Sequence, residues 1–471
     1  MRTFRGRVLD GNGTFVGTGL VVDDDGKLAD IVGATYAGQS GLAEQGVLAQ
    51  ESDLCKRIGL KKSHNPTAEH AINIDHEQIA QHNLWRQDSS QPEDDPPRKG
   101  SYGSNSHGVA DGGLGRFREE HGPFYIVPGF VDIHCHGGGG TSFPDDLGPE
   151  SIARGIEAHR RRGTTALVAS LVSMVDPLPA IDALVPFCQS GELAGIHMEG
   201  PYVSPCKAGA QNPAAIREGN LAELEEWLVA GDGWIRTMTV APEIPQARDV
   251  AEMLLRYGAK PSWGHTSATA TQAAEAIEYV LEKSSSAVAP MPQTATHLFN
   301  AMPPLSHRAP GPVREYIQAA RRGEIAVELI ADGVHIAPEL VEDVADYVGA
   351  SAVFVTDAMA AAGMPEGSYQ LGGLAVDVRD GAARLAGTDT IAGGCSMLAD
   401  QVALMAGRGA LSLEHIVQAT VAGPVRAASL LREGREARGI TITYKIGAKP
   451  NFVVLDADFH VREVIREGVV L

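Results

Sequence analysis

The sequence predicts an α/β protein: a (β/α)8 TIM-type barrel with a small β-sandwich domain made from both chain ends. Three observations carry this expectation. About eight short apolar runs of strand type alternate with amphipathic helical stretches between residue 126 and about residue 425, which points to a parallel sheet with helices outside it. Both ends of the chain instead alternate polar and apolar residues around Gly and Asp turns, as short antiparallel strands do. His, Glu and Asp also recur where the strand runs end, just before Gly, Pro or small residues, and a barrel carries its chemistry on the C-terminal rim of its strands.

Taken in order, TFRGRVLDGNGTFVGTGLVVDDDGKLADIVG supplies the first antiparallel strands. Residues 40 to about 121 read as an insertion that ends in the polar tract RQDSSQPEDDPPRKGSYGSNSHG, a linker-like composition. It carries His64, His70, His76 and His82 at a step of six. On a helix that step turns each side chain about 240° from the last, so the four share no face and are expected to be solvated. The barrel strands are expected in FYIVPGFVDIH, TTALVAS, LAGIHME, IRTMTVAPE, KPSWGHT, TATHLFN, AVELIAD and AVFVTDA. EKSSSAVAPMPQ is expected as a surface loop, SMLADQVALMAGRG and SLEHIVQATVAGPVRAASLL as the last helices, and ITITYKIGAKPNFVVLDADFHVREVIREGVVL as the returning antiparallel strands. The expected division is residues 1–125 with 438–471 for the sandwich domain, insertion included, and 126–437 for the barrel.

At 471 residues the chain is long enough for both parts. A formal charge of −20 argues against a nucleic-acid partner, which needs a basic stripe. No apolar run reaches the roughly 18 residues of a membrane span. The opening MRTFRGRVLDGNGTF has no apolar h-region, and the five cysteines (Cys55, Cys135, Cys188, Cys206, Cys395) are scattered without CxxC spacing. A reducing cytoplasm is therefore expected.

His134 and His136, in VPGFVDIHCHGGGG, stand two apart on a strand and so project to one side, where both can grip one metal. Cys135 then faces away and is expected to be packed. Glu199 ends LAGIHME before the Gly200–Pro201 turn; beside histidines it reads as a ligand or bridge, with His197 on the same strand read as a supporting or core residue. His265 and His297 end two further strands. With Glu199 they make three ligands and leave a position for water, the pattern of a catalytic zinc or iron centre. Asp357, after VFVT, is placed to take a proton from that water and return it to a leaving group. This is the kit of a metallohydrolase.

The order of PGFVDIHCHGGGG, HMEGPYVSPCKAGAQNP, GHT, THLFNAMPPLSHRAPG, ADGVHI and VTDAMAAAG resembles the N-acetylglucosamine-6-phosphate deacetylase family of the amidohydrolase superfamily, across everything but the 40–121 insertion. The resemblance implies deacetylation of a phosphorylated amino sugar. It implies one or two divalent metals, the principal one on Glu199, His265 and His297 and a second on His134 and His136 with Glu199 bridging. Asp357 matches the catalytic Asp of that family and His335 a substrate-binding His. Asn300 and Ala301 match positions that contact the sugar phosphate. Ala210, Ile391, Ala392 and Gly393 fall where main-chain or apolar contacts to substrate are expected. Arg308 matches an arginine that reaches the phosphate from the neighbouring subunit, which implies a homodimer. Gln211 stands where many relatives carry His; it can donate to the amide oxygen or to a sugar hydroxyl but cannot carry charge. Cys206, in the same loop, is expected to be a passive thiol. The galactosamine epimer, and cyclic amides or imides, stay open as substrates, although the usual cyclic-amide hydrolases bridge their metals with a carbamylated lysine where this chain has Glu199. A scaffold that kept the barrel without the chemistry is the remaining reading, and metal content separates it from an enzyme.

Overall fold

The computed structural model describes residues 1–34, 124–284 and 291–471; the 40–121 insertion with its four histidines, and the middle of the EKSSSAVAPMPQ loop, lie outside the described residues. The first strands are β1 (Arg2–Leu9), β2 (Phe15–Val22), β3 (Leu28–Val32) and β4 (Tyr125–Pro128). The barrel strands follow: β5 (Phe130–Cys135), β6 (Thr164–Leu171), β7 (Gly195–Glu199), β8 (Ile235–Val240), β9 (Lys260–Trp263), β10 (Thr294–Ala295), β11 (Ala326–Leu329) and β12 (Ala352–Phe354). Next come β13 (Gly367–Leu371), β14 (Leu374–Arg379) and β15 (Ala382–Leu385), and the chain closes with β16 (Phe452–Leu455), β17 (Val461–Arg466) and β18 (Val469–Val470).

β5 to β12 pair in sequence order as one parallel eight-stranded sheet. Each barrel strand is buried along its whole length, because one face looks into the barrel and the other meets helices. That is why these segments read as apolar runs and not as alternation. The sheet closes where the first and last strands meet. There Asp357 N–H donates to the His134 carbonyl at 2.9 Å, His136 N–H donates to the Ala358 carbonyl at 2.7 Å, and the Thr356 hydroxyl donates to Asp132 at 2.6 Å. Closure therefore sets the two histidines beside the aspartate.

Helices return the chain between strands. Ala270–Lys283 starts on a capping box of Thr269 and Gln272, and Leu221–Ala230 on the Asn220 side chain. Both chain ends meet, as expected, in a curled seven-stranded sheet of order β18-β17-β16-β4-β1-β2-β3. Phe4, Val8, Leu20, Ile126, Phe452 and Ile465 form its own core, with the Phe4 and Phe452 rings edge-on at 4.9 Å.

One element escaped the sequence reading. β13, β14 and β15 form a small antiparallel sheet between the last barrel strand and the final helices. It packs on Val172, Met359 and Ala392. The N–H groups of Gly372 and Gly373, at the turn between β13 and β14, donate to the two carboxylate oxygens of Asp145 at 2.8 and 2.7 Å.

Candidate metal and catalytic site

The barrel brings the six chemistry-bearing residues to one end. His134 lies within β5 and His136 just beyond it; Glu199 ends β7; His265, His297 and Asp357 follow β9, β10 and β12. All six are buried. His265, His297 and Asp357 hold φ of 46°, 25° and 48°, left-handed conformations that L-residues seldom adopt and that cluster at functional sites. The chain can make the first of these turns because Gly264 precedes it: a Cβ there would lie 2.6 Å from Thr296 Cβ.

Glu199 is the hub. Its Oε1 lies 2.9 Å from His265 Nε2 and 2.8 Å from His297 Nε2, and those two nitrogens are 3.2 Å apart. Its Oε2 lies 3.2 Å from His136 Nε2, which is 3.1 Å from His134 Nε2. Asp357 Oδ1 is 3.4 Å from His134 Nε2 and 3.2 Å from His136 Nε2. Two ligand-type groups thus share one carboxylate: Glu199, His265 and His297, and His134, His136 and Glu199.

The opposite ring nitrogens indicate what these clusters suit. His134 Nδ1 sits 3.0 Å from Glu328, His136 Nδ1 3.2 Å from the Ser170 carbonyl, and His265 Nδ1 2.8 Å from the Lys207 carbonyl. Each Nδ1 faces an acceptor and so carries the N–H, which leaves the lone pair on the inward Nε2. Converging lone pairs and carboxylate oxygens are a donor set that fits a divalent cation. Electrostatics agree. Burial alone would lower the His134 pKa, yet Asp357, Glu328 and Glu199 lift it to about 10. His136 and His265 are raised against burial in the same way by Glu199 and Asp357. Burial would raise Glu199 and Asp357, and the surrounding histidines pull both below the usual carboxylate range. The site concentrates negative charge that calls for a positive partner.

Both ring nitrogens of His197 meet hydroxyls, Ser170 at 3.0 Å and Thr239 at 2.9 Å, one donating and one accepting, and burial, then the neighbouring His134, keeps its pKa low. It packs under the site as a neutral ring. Cys135 turns away: its thiol lies 3.3 Å from the Gly137 carbonyl and 3.2 Å from His159, and burial pushes its pKa up. Asp132, Cys135 and His159 form a third group of ligand type, but with thiolate disfavoured and His159 Nε2 2.8 Å from the same carbonyl, they serve packing.

A cavity of about 350 Å³ opens over the cluster. Ala210, Gln211, Asn300, Ala301, His335, Ile391 and Gly393 line it with His136, Glu199, His265, His297 and Asp357. Ala392 is buried behind this wall. Arg308 is exposed on the loop after His297 and does not line the cavity of its own chain. Cys206 is exposed. His335 gives Nδ1 to Asp332 at 2.8 Å and turns Nε2 toward Asp357 at 3.9 Å; the Asp332 charge raises its pKa against burial. The Gln211 amide donates to Glu199 Oε2 at 2.6 Å, and its oxygen accepts from Ser173 N–H at 2.5 Å. Gly209, Leu371, Asp389 and Thr390 also line the cavity, and the sequence reading missed all four. The signal for Leu371 was present, a Gly-Gly pair between two alternating runs in SYQLGGLAVDV.

Comparison with known proteins bears on this geometry. The profile described as "Amidohydrolase family" matches residues 125–471. N-acetylglucosamine-6-phosphate deacetylase from Bos taurus is 32% identical over 361 residues, 73% of this chain and 82% of the bovine one. N-acetylgalactosamine-6-phosphate deacetylase from Escherichia coli O157:H7 is 29% identical over 356 residues, covering 73% and 86%. The crystal structure of N-acetyl-D-glucosamine-6-phosphate deacetylase from Mycobacterium smegmatis superposes with a TM-score of 0.66 at 35% identity, covering 77% of this chain and 92% of that one.

Proposed function

This chain belongs to the amidohydrolase family, a family of metal-dependent hydrolases, and we propose that it removes the acetyl group from N-acetylglucosamine 6-phosphate to give glucosamine 6-phosphate and acetate. The observation that carries this reading is the shared carboxylate: Glu199 between two pairs of histidines, with Asp357 alongside, under a cavity lined by seven of the expected substrate contacts. Its relatives from cattle and M. smegmatis bear the name of that reaction.

In this reading Glu199, His265 and His297 would hold the principal metal, zinc or iron, and His134, His136 and Glu199 would hold a second. When bound, such a metal supplies Lewis acidity and lowers the pKa of a water from about 15.7 toward about 7. The protein does the rest. Asp357 accepts the proton of the attacking water and hands it to the departing C2 nitrogen, a transfer that needs a carboxylate ionised at neutral pH, as its charged neighbours keep it. His335, held by Asp332 with Nε2 toward the cavity, donates to substrate oxygen. Asn300, Ala301 and Ala210 position the sugar, and the wall at Ile391 and Gly393 excludes water from one side of it, with Ala392 buried between them in the chain. Arg308 reaches the 6-phosphate of the neighbouring subunit's substrate, where a planar guanidinium makes bidentate contacts. Its exposure outside its own cavity supports this, and a homodimer follows. The described cysteines are free, in keeping with a reducing cytoplasm, and no helix among the described residues is long and apolar enough to cross a membrane.

The test is acetate release by metal-replete protein from N-acetylglucosamine 6-phosphate, beside its unphosphorylated form and the galacto epimer. Turnover that requires the phosphate supports the reading. Preference for the galacto epimer favours the second reading, which the E. coli relative motivates, and release from none of the three overturns both. For the dimer, Arg308→Ala and Asp357→Asn are each expected to be poorly active alone. Mixed and refolded together they should regain activity, since one heterodimer site is intact; no regain places Arg308 in its own subunit's site.

A further inference from the structure

Glu328 meets His134 Nδ1 but neither lines the cavity nor belongs to either ligand-type group. It lies within β11, between Val327 and Leu329, and is 1% exposed. A carboxylate buried that deeply needs partners. It finds them on both halves of the cluster. Oε2 takes His134 Nδ1–H at 3.0 Å and the backbone N–H of His297 at 3.2 Å, while its main-chain carbonyl takes Leu298 N–H at 2.8 Å. The first bond decides which nitrogen of His134 carries the proton and turns the lone pair inward. The second holds the backbone of a residue strained at φ 25°, the residue that presents its ring to Glu199.

We propose that Glu328 is the positioning residue of this centre. One buried carboxylate sets the tautomer of His134 and the backbone of His297, and so tunes metal affinity in both halves together. The inference rests on the two-metal reading above. It concerns metal binding alone, so its outcome is independent of which sugar is the substrate. Partners of this kind, one bond behind the ligands, typically change metal affinity by about 10- to 100-fold when removed.

The experiment is reconstitution of metal-stripped protein with buffered Zn²⁺, and separately Co²⁺, read as metal per chain by elemental analysis and as the visible cobalt spectrum. Glu328→Leu should weaken both equivalents, each about 10- to 100-fold, and shift the cobalt bands; Glu328→Gln, which keeps an acceptor oxygen for Nδ1–H, should recover part of that loss. In a His134→Ala background only the His297 bond remains, so Glu328→Leu should still weaken the single equivalent left. Native affinity for either equivalent in Glu328→Leu overturns the proposal. If the leucine variant does not fold by circular dichroism, Glu328→Gln decides, and native affinity with an unchanged cobalt spectrum overturns it. If wild type binds one equivalent and His134→Ala matches it, the two-metal reading fails. The His297 bond is then judged alone: unchanged affinity of the single site in Glu328→Leu overturns this inference too.

Discussion

At the floor of the barrel, Lys260 and Arg236 are buried as deeply as the histidines of the rim, at 3% and 2% exposure against 4% for His265. Their donors go to main-chain carbonyls. Lys260 Nζ meets those of Met291 and Arg426, both at 2.7 Å, and Arg236 those of Ala194 and Arg435 at 2.9 and 2.6 Å. The rim spends its main-chain contacts differently: Ser170 and Lys207 carbonyls take the outer ring nitrogens and leave the inner ones facing carboxylates. The floor residues turn their donors onto main-chain carbonyls. The rim leaves lone pairs converging on one point, and that difference, not depth of burial, separates a site from a support.

The largest effect should come from breaking the rim at Asp357, the proposed proton carrier. Asp357→Asn keeps shape and removes the proposed base, so kcat should fall by about 10²- to 10⁴-fold with metal content unchanged. Measuring both together is essential. A variant that turns over normally removes Asp357 from the mechanism, and one that has lost its metal shows that the residue is a ligand.

The floor makes a prediction of opposite kind, in stability and not turnover. Burial lowers the Lys260 pKa from 10.5 to about 7. Below about pH 7 the folded and unfolded chains both carry the proton, and the cost of burying the charge is paid in full. As pH rises from 7 toward 10.5 the unfolded chain still binds a proton that the folded one has lost, so this group's contribution to stability increases, by about 5 kcal/mol across the window. Lys260→Met abolishes that titration. The stability gap between wild type and variant in denaturant melts should therefore widen in favour of wild type from pH 7 to 10. A gap flat with pH means that the folded lysine titrates as an exposed one does.

Most of the rim was legible in the sequence because each of its histidines and carboxylates ended an apolar run, and a parallel strand must stop where its loop begins. The eight strands were legible for the same reason, since burial on both faces leaves no alternation to mistake. Glu328 was not. It sits in mid-strand as the one charge in AVEL, and its partners His134 and His297 lie 194 and 31 residues away, so no local pattern marks it. The Asp145 clasp on Gly372 and Gly373 spans 227 and 228 residues and was invisible for the same reason. Nor does anything in the sequence announce positive φ at His265, His297 or Asp357. Those residues are not glycine, and only the closed barrel holds them there.

Gln211 offers the smallest effect and sharpens the comparison most, because one residue combines both habits. Like the floor residues it is fully occupied by protein on one side, with Ser173 N–H on its oxygen; like the rim it turns its other end to Glu199 Oε2. If its main task is to hold Glu199, then Gln211→Ala removes a hydrogen bond to a charged group and should lower kcat about 10-fold, equivalent to about 1.4 kcal/mol, with KM little changed. If its second amide hydrogen grips the sugar or the amide oxygen of the ground state, KM should rise instead and kcat hold. Gln211→His tests the same point through pH. Imidazole titrates near 6.5, so a ring that reaches Glu199 should add a limb to the kcat profile in that region, which the native amide cannot produce. A flat profile with unchanged kcat in both variants would leave Glu199 positioned by its four histidine neighbours alone.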